Sequence, residues 1–275
     1  MTIRSANGDD LDLAATWRTA PRHVVGQRAE FDPHDPVGIG SAALLRNESM
    51  GLAADVGTGS DAQLVALLVA CAEPDPVDPS RHQWVLRVEG APNSGWIDTV
   101  PALLAATSGR LRDHAGTGLT VGWRHDDHRG ATMLDRSGFG LSCWFRERQV
   151  DGFGERDRQL FDVEDDWDGE NDLPLPHRHG LTWALAGAEH LRVDQGAAVA
   201  SPRCRSGKGT FVLADPIVAM SPDARLAAIR TVERHGIEVG ADCVRVTVGM
   251  GEPRLDRDLG RAGYRQTLDW WFLAW

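Results

Sequence analysis

The chain has 275 residues, 42% of them hydrophobic, with 40 acidic against 29 basic side chains and a formal charge of −11. That length buries one large core or two small ones, while the acidic balance argues against a general binder of nucleic-acid phosphates. No apolar run approaches the roughly 18 residues of a membrane span, and Met1-Thr2-Ile3-Arg4-Ser5 does not open a signal peptide, so a cytoplasmic protein without a membrane partner is expected.

In chain order, the pattern predicts a strand near Thr2–Ser5, then helices within Asp9–Phe31 and over Gly40–Arg46. Strands follow near Met50–Val56, Gln63–Cys71 and Gln83–Val88. Trp96–His114 reads as a helix, with Val100, Leu103, Leu104 and Leu111 on one face. A strand at Leu119–Trp123, a helix at His128–Arg136 and a strand at Leu141–Arg146 close the first part. From Gln149 to Gly180 runs a separator that holds the acidic stretch Asp162–Asp172 and the prolines Pro174 and Pro176. It reads as a solvated linker. The second part keeps strands at Thr210–Leu213, Cys243–Val248 and Thr267–Leu273, and helices at Pro222–His235 and Arg254–Arg261. The cysteines Cys71, Cys143, Cys204 and Cys243 form no CxxC pair, which favours small hydrophobes over disulfides or a metal site.

The elements repeat. Thr2–Leu11 and Thr182–Leu191 both read as a short strand, a small-residue turn and an acidic helix start. Leu119-Thr120-Val121 through Gly138-Phe139 matches Val244-Arg245-Val246 through Gly263-Tyr264 as strand, turn, helix and Gly-aromatic pair. The offset is 180 residues at the front and 125 at the back, so the second copy is shorter in its front half. The expected division is residues 1–148, a linker at 149–180, and residues 181–275.

The order of elements, with Thr2-Ile3-Arg4-Ser5-Ala6 before Asp9-Asp10-Leu11 at the front, Val121 through Asp127 and then Gly130-Ala131-Thr132-Met133-Leu134-Asp135-Arg136-Ser137-Gly138-Phe139 at the back, and Leu259-Gly260-Arg261-Ala262-Gly263-Tyr264 repeating that back motif, resembles the GNAT-type N-acyltransferase superfamily. The resemblance implies an α/β fold of two lobes, each a mixed, mostly antiparallel sheet flanked by helices, the second truncated. It implies acetyl-CoA or another acyl-CoA as donor and a small-molecule amine as acceptor. Strand backbone near Val85 and Val88 would hold the pantetheine arm. The glycine-rich phosphate loop of the family matches Glu89-Gly90-Ala91-Pro92-Asn93-Ser94-Gly95-Trp96, where Gly90 and Gly95 leave a turn and Asn93 and Ser94 are candidate helix caps. The loop lacks the usual arginine, and Pro92 lacks an N–H. In the second copy the matching stretch, Ala214 to Pro222, holds no glycine, and Asp215 would repel phosphate. That copy is expected to wall the acceptor pocket instead. Many members carry a tyrosine that protonates the leaving thiolate, and Leu134 and Leu259 stand at that position.

The remaining chemistry is in single residues. Glu89 ends the fourth strand and is a candidate base. Arg124-His125-Asp126-Asp127-His128-Arg129 is the densest ionisable cluster, and His125, Asp127 and His128 are candidates for substrate contact or acid–base work. His125 and His128 with Asp126 are of the right types for a metal, but Asp126 or Asp127 capping the next helix explains the same cluster without chemistry, and no metal is expected. His177 and His179 read as linker residues, and Trp270, Trp271 and Trp275 as buried between the lobes. The weak phosphate loop and the missing tyrosine favour a second reading: a protein of this shape that binds a small molecule or a protein without CoA chemistry.

Overall fold

The structure, a computed structural model, describes residues 1–17, 49–74, 81–91, 94–114, 116–150, 189–205, 209–241 and 243–275. The expected helices over 18–31 and 40–46, the acidic stretch 162–172 and both linker histidines lie outside the described residues. Two compact units emerge. Unit 1 is Met1–Ser142 together with Leu268–Trp275, and unit 2 is Cys143–Thr267. This differs from a division in chain order, because the last strand of the chain belongs to the first unit.

In unit 1 the elements are β1 (Thr2–Ser5), α1 (Gly8–Trp17), β2 (Ser49–Val56), β3 (Gln63–Pro74), β4 (His82–Gly90), a 3₁₀ turn (Trp96–Thr99), α2 (Val100–Leu111), β5 (Gly116–Arg124) and α3 (His128–Arg136). The strand order is β1-β2-β3-β4-β5, followed by β11 (Arg265–Ala274). All neighbours are antiparallel except β4 and β5. Continuous apolar runs such as Val65–Ala70 mark strands covered on both faces. One face packs Leu52, Leu68, Leu86, Val88, Val121 and Trp123 under α2 and α3. The other packs Ala53, Leu67 and Val69 under Leu11, Ala14 and Trp17 of α1.

α1 starts with a reciprocal cap: Asp10 N–H donates to Asn7 Oδ1 at 3.0 Å, and Asn7 N–H donates to Asp10 Oδ2 at 2.8 Å. Arg4 pairs with Asp10 at 2.6 Å and with Asp55 at 2.7 Å, tying β1, α1 and β2 together. Trp271 and Trp275 pack on the core of unit 1, and the Trp275 indole N–H donates to Gly116 O at 3.0 Å. These two tryptophans therefore finish unit 1, which corrects the expectation that they fill a space between lobes.

In unit 2 the elements are β6 (Gly140–Gln149, from Cys143 onward), β7 (Glu189–Val193), β8 (Gly196–Arg205), β9 (Gly209–Ala219), α4 (Pro222–Glu238), β10 (Cys243–Gly249) and α5 (Pro253–Arg261). The strand order is β6-β10-β9-β8-β7, with β9 and β10 parallel. The core joins Val212, Val244 and Val246 to Ala228, Val232 and Leu259. Glu189–Leu191, expected to start a helix, is strand, so the front match at offset 180 fails there. The back match holds at 125 residues: α3 and α5 are both nine residues long, and β6 and β11 both ten. Each helix ends on a glycine at positive φ, Gly138 at 86° and Gly263 at 87°. In each the aromatic N–H then donates to the buried leucine carbonyl, Phe139 to Leu134 at 3.1 Å and Tyr264 to Leu259 at 3.0 Å.

Candidate functional site

The site begins where two parallel strands part. β4 and β5 pair from His82↔Gly116 to Leu86↔Val121, and no further. Arg87–Gly90 and Gly122–Arg124 run on as strand without pairing to each other. The wedge opens at the C-terminal ends of the strands, where open α/β sheets take ligands.

Indoles lie over the wedge on the face of α2. A Cβ on Gly90 would lie 1.9 Å from the Trp96 ring, so only glycine admits the indole there. The Trp96 and Trp123 rings are 6.2 Å apart. Trp123 is fully buried, and it fits because Gly130 of α3 has no side chain: a Cβ there would lie 1.7 Å from Trp123 Nε1.

Alternation along β4 divides the expected residues between the two faces. Val85, Arg87 and Glu89 lie on the α1 face, all buried, opposite Cys71, Val69 and Leu67 of β3. Val88 and Gly90 lie on the α2 face with Trp96. The structure thus brings Glu89 to the wedge from one side and the His125 segment, which follows β5, from the other.

The loop after β4 differs from expectation in its capping. Asn93 lies outside the described residues. Ser94 Oγ donates backward to Ala91 O at 2.8 Å instead of capping the helix. Gly95 holds the cap position at φ 59°, with open space where a side chain would stand. Beside it a groove of about 470 Å³ runs between the start of α2 and α3, lined by Ile97, Pro101, Met133, Arg129 and Arg136 among others. Arg129 reaches across to Asp98 at 2.5 Å. Both side chains are mostly exposed, so this pair is cheap to open. Arg136 has no acidic partner among the described residues. The loop itself holds no cation; Arg129, already part of the ionisable cluster, and Arg136, unmarked in the sequence, stand about two turns apart along α3.

Asp127 is the cap of α3. Its Oδ1 accepts from Gly130 N–H and its Oδ2 from the Trp123 indole N–H, both at 3.0 Å. Those bonds occupy both oxygens. Asp126 binds Arg124, whose guanidinium holds the Asp126 carboxyl below the usual carboxylate range. His128 is exposed at the first position of α3. Of the two histidines in this segment, His125 is the one with a backing group: its Nδ1 stands 3.1 Å from Oδ2 of Asp269. The His125 ring is 45% exposed, and the Asp269 carboxylate is 9% exposed. Asp269 comes from β11, opposite Trp123 in the register. No local motif could have revealed a partner 144 residues away. Leu134 is fully buried in the core. Among the described residues no group of three or more His, Cys, Asp or Glu could hold a metal.

Unit 2 handles its own parallel pair differently. β9 and β10 pair as far as Ala214↔Val246. The stretch expected as a loop is strand to Ala219, with a register shift at Asp215, which is buried. Arg245 is fully buried over the rings of Phe145 and Phe211, 5.2 and 4.7 Å from their centroids, and donates to Glu147 at 2.5 Å. A neutralised ion pair among aromatics is packing.

The parted parallel strands, the glycine-ended helix and the terminal strand define the fold of the GCN5-related N-acetyltransferases. An enzyme of that group from Sphaerobacter thermophilus superposes over 99% of this chain and 95% of its own, at a TM-score of 0.51 and 13% identity. An inferred acetyltransferase from Thermoplasma acidophilum superposes over the full length of both chains, at 0.51 and 13%. No family model and no curated protein matches the sequence.

Proposed function

We propose that the chain is an acyl-CoA-dependent N-acyltransferase, using acetyl-CoA or another acyl-CoA to acylate a small amine-bearing substrate. One observation carries the reading: the strands part beyond Leu86 and Val121 right beside the groove that holds Arg129 and Arg136. The groove suits the phosphate end of the donor. Two guanidiniums and the open backbone at Gly95 offer donors for anionic oxygens. The wedge suits an extended amide arm, whose groups bond to strand backbone that β5 no longer ladders. The arm enters once the Trp96 indole leaves Gly90. The amine then attacks the thioester carbon, the C–N bond forms and the C–S bond breaks. Glu89, buried at the wedge on the α1 face, takes the proton from the amine nitrogen. Acyl-CoA is an internal metabolite, so the reading puts this work in the cytoplasm. The recurrence of nine- and ten-residue elements at 125 residues further supports a tandem origin, with donor binding kept in unit 1 alone.

A second reading has its own support. Trp96 seals the wedge and Leu134 offers no proton, as in a protein that keeps the shape and binds something else. Calorimetry with acetyl-CoA separates the two. One site per chain, lost in an R129A/R136A double variant, supports the transferase. Absence of binding by the wild type supports the second reading.

A further inference from the structure

We propose that His125, held by Asp269, is the acid that protonates the departing thiolate. The inference rests on the transferase reading above and adds the group that reading lacks. A thiolate leaves an acyl carbon faster when a proton reaches the sulfur as the bond breaks. The donor must sit at the mouth of the wedge, meet solvent to be recharged, and keep one orientation. His125 meets all three conditions. It directly follows β5, whose last residues flank the wedge. Its ring is half exposed, and its Nδ1 is fixed by the Asp269 carboxylate at 3.1 Å.

The pairing sets the chemistry. A nearly buried carboxylate is costly unless a charge or a donor meets it. Asp269 accepts the Nδ1 proton, which fixes the tautomer and the orientation of the ring. Nε2 has no partner among the described residues, so its proton is free to transfer. The other charged groups around His125 are engaged. Arg124 and Asp126 bind each other, Asp127 caps α3, and Arg129 binds Asp98. The step balances. The amine proton goes to Glu89 on one face, the Nε2 proton goes to sulfur from the other, and water resets both groups. The base and the acid lie on opposite faces of the sheet, and the amine and the sulfur are different substituents of the one tetrahedral carbon between them. Asp269 is then a positioning residue, and His125 the catalytic one.

The test is steady-state acetyl transfer by the full-length protein with acetyl-CoA and a panel of primary amines. His125→Ala should lower kcat by about 10²-fold with KM for acetyl-CoA unchanged. Asp269→Asn should lower kcat in the same direction, because the ring loses the carboxylate that orients it. Asp269→Glu should restore part of the rate. Asp269 is buried, so a fold check by circular dichroism accompanies its variants, and the half-exposed His125 variant stands independently of it. Nitrogen-15 spectra of His125 give a readout free of catalysis: the Nδ1–H tautomer should dominate in the wild type and be lost in Asp269→Asn. Transfer by His125→Ala at the wild-type rate overturns the proposal and leaves the transferase reading intact. A wild type that neither binds nor uses acetyl-CoA, with the tautomer still held, overturns the transferase reading and the proposal with it.

Discussion

At the scale of single residues, two glycines decide the shape of the wedge. Gly130 lets α3 lie on Trp123, and Gly90 lets Trp96 lie on β4. Gly130→Ala should destabilise the protein by about 1–3 kcal/mol through overpacking, because the neighbour is a fully buried ring with no room to retreat. Chemical denaturation would measure it as a lower midpoint at an unchanged slope. Gly95 differs. Its space is open, and its φ of 59° alone penalises a side chain, so Gly95→Ala should cost about 1 kcal/mol. Charge matters beyond packing at the same position. Gly95→Asp adds no larger a clash but sets a carboxylate beside the groove, and should abolish acetyl-CoA binding in calorimetry while the fold persists.

At the scale of elements, the wedge and its indole can be separated by experiment. Trp96→Ala removes the cover from Gly90 and should tighten acetyl-CoA binding if entry requires the indole to move. Weaker binding would mean that the indole is itself part of the donor site. The capped helices and paired strands also carry an acid limit. The Arg4 guanidinium holds the Asp10 carboxyl below its ordinary value of 3.8. Burial alone would raise Asp256, but Arg146 and the Trp144 indole hold it below 3.8 as well. Both carboxylates stabilise the fold above their unfolded values and lose that contribution as pH falls through their lower folded ones. Burial pushes the Glu233 carboxyl the other way, against the pull of Arg148, so its contribution is present at low pH and lost on raising it. Thermal melts should therefore drop below about pH 4, and an Arg4→Met variant should flatten that drop.

The same scale shows what the sequence made legible. Alternation and glycine-aromatic ends were enough for β2 to β5, α3, α5 and β11, because each buries a face with its own period. β7 and β8 were missed: Glu189–Val193 follows an acidic pattern that mimics a helix start, and Gly196–Ala200 is rich in small residues of little strand preference. Of the candidate site proposed above, Gly90, Gly95, Glu89 and His125 could be named from local pattern. Arg129 was legible only as one member of an ionisable cluster, and Arg136 was hidden in a helix that looks merely solvated. Asp269 was hidden by distance along the chain, since only the pairing of β11 with β5 brings it to His125.

At the scale of the whole molecule, each unit is completed by a strand from the other half of the chain: β11 in unit 1, and β6 in unit 2. Deleting Leu268–Trp275 should thus damage the first unit, although the cut is made at the far end. It strips β5 of its partner, bares a strand edge and removes Asp269. The shortened protein should aggregate on expression, and a soluble, folded product would count against the exchange. The exchange also has a meaning in time. A ribosome delivers the chain from its N-terminus, and β5 must wait for a partner 144 residues downstream of His125. Closing so long a loop comes late and slowly. The β5 edge of unit 1 is therefore made long before its partner, and it needs shelter until β11 emerges.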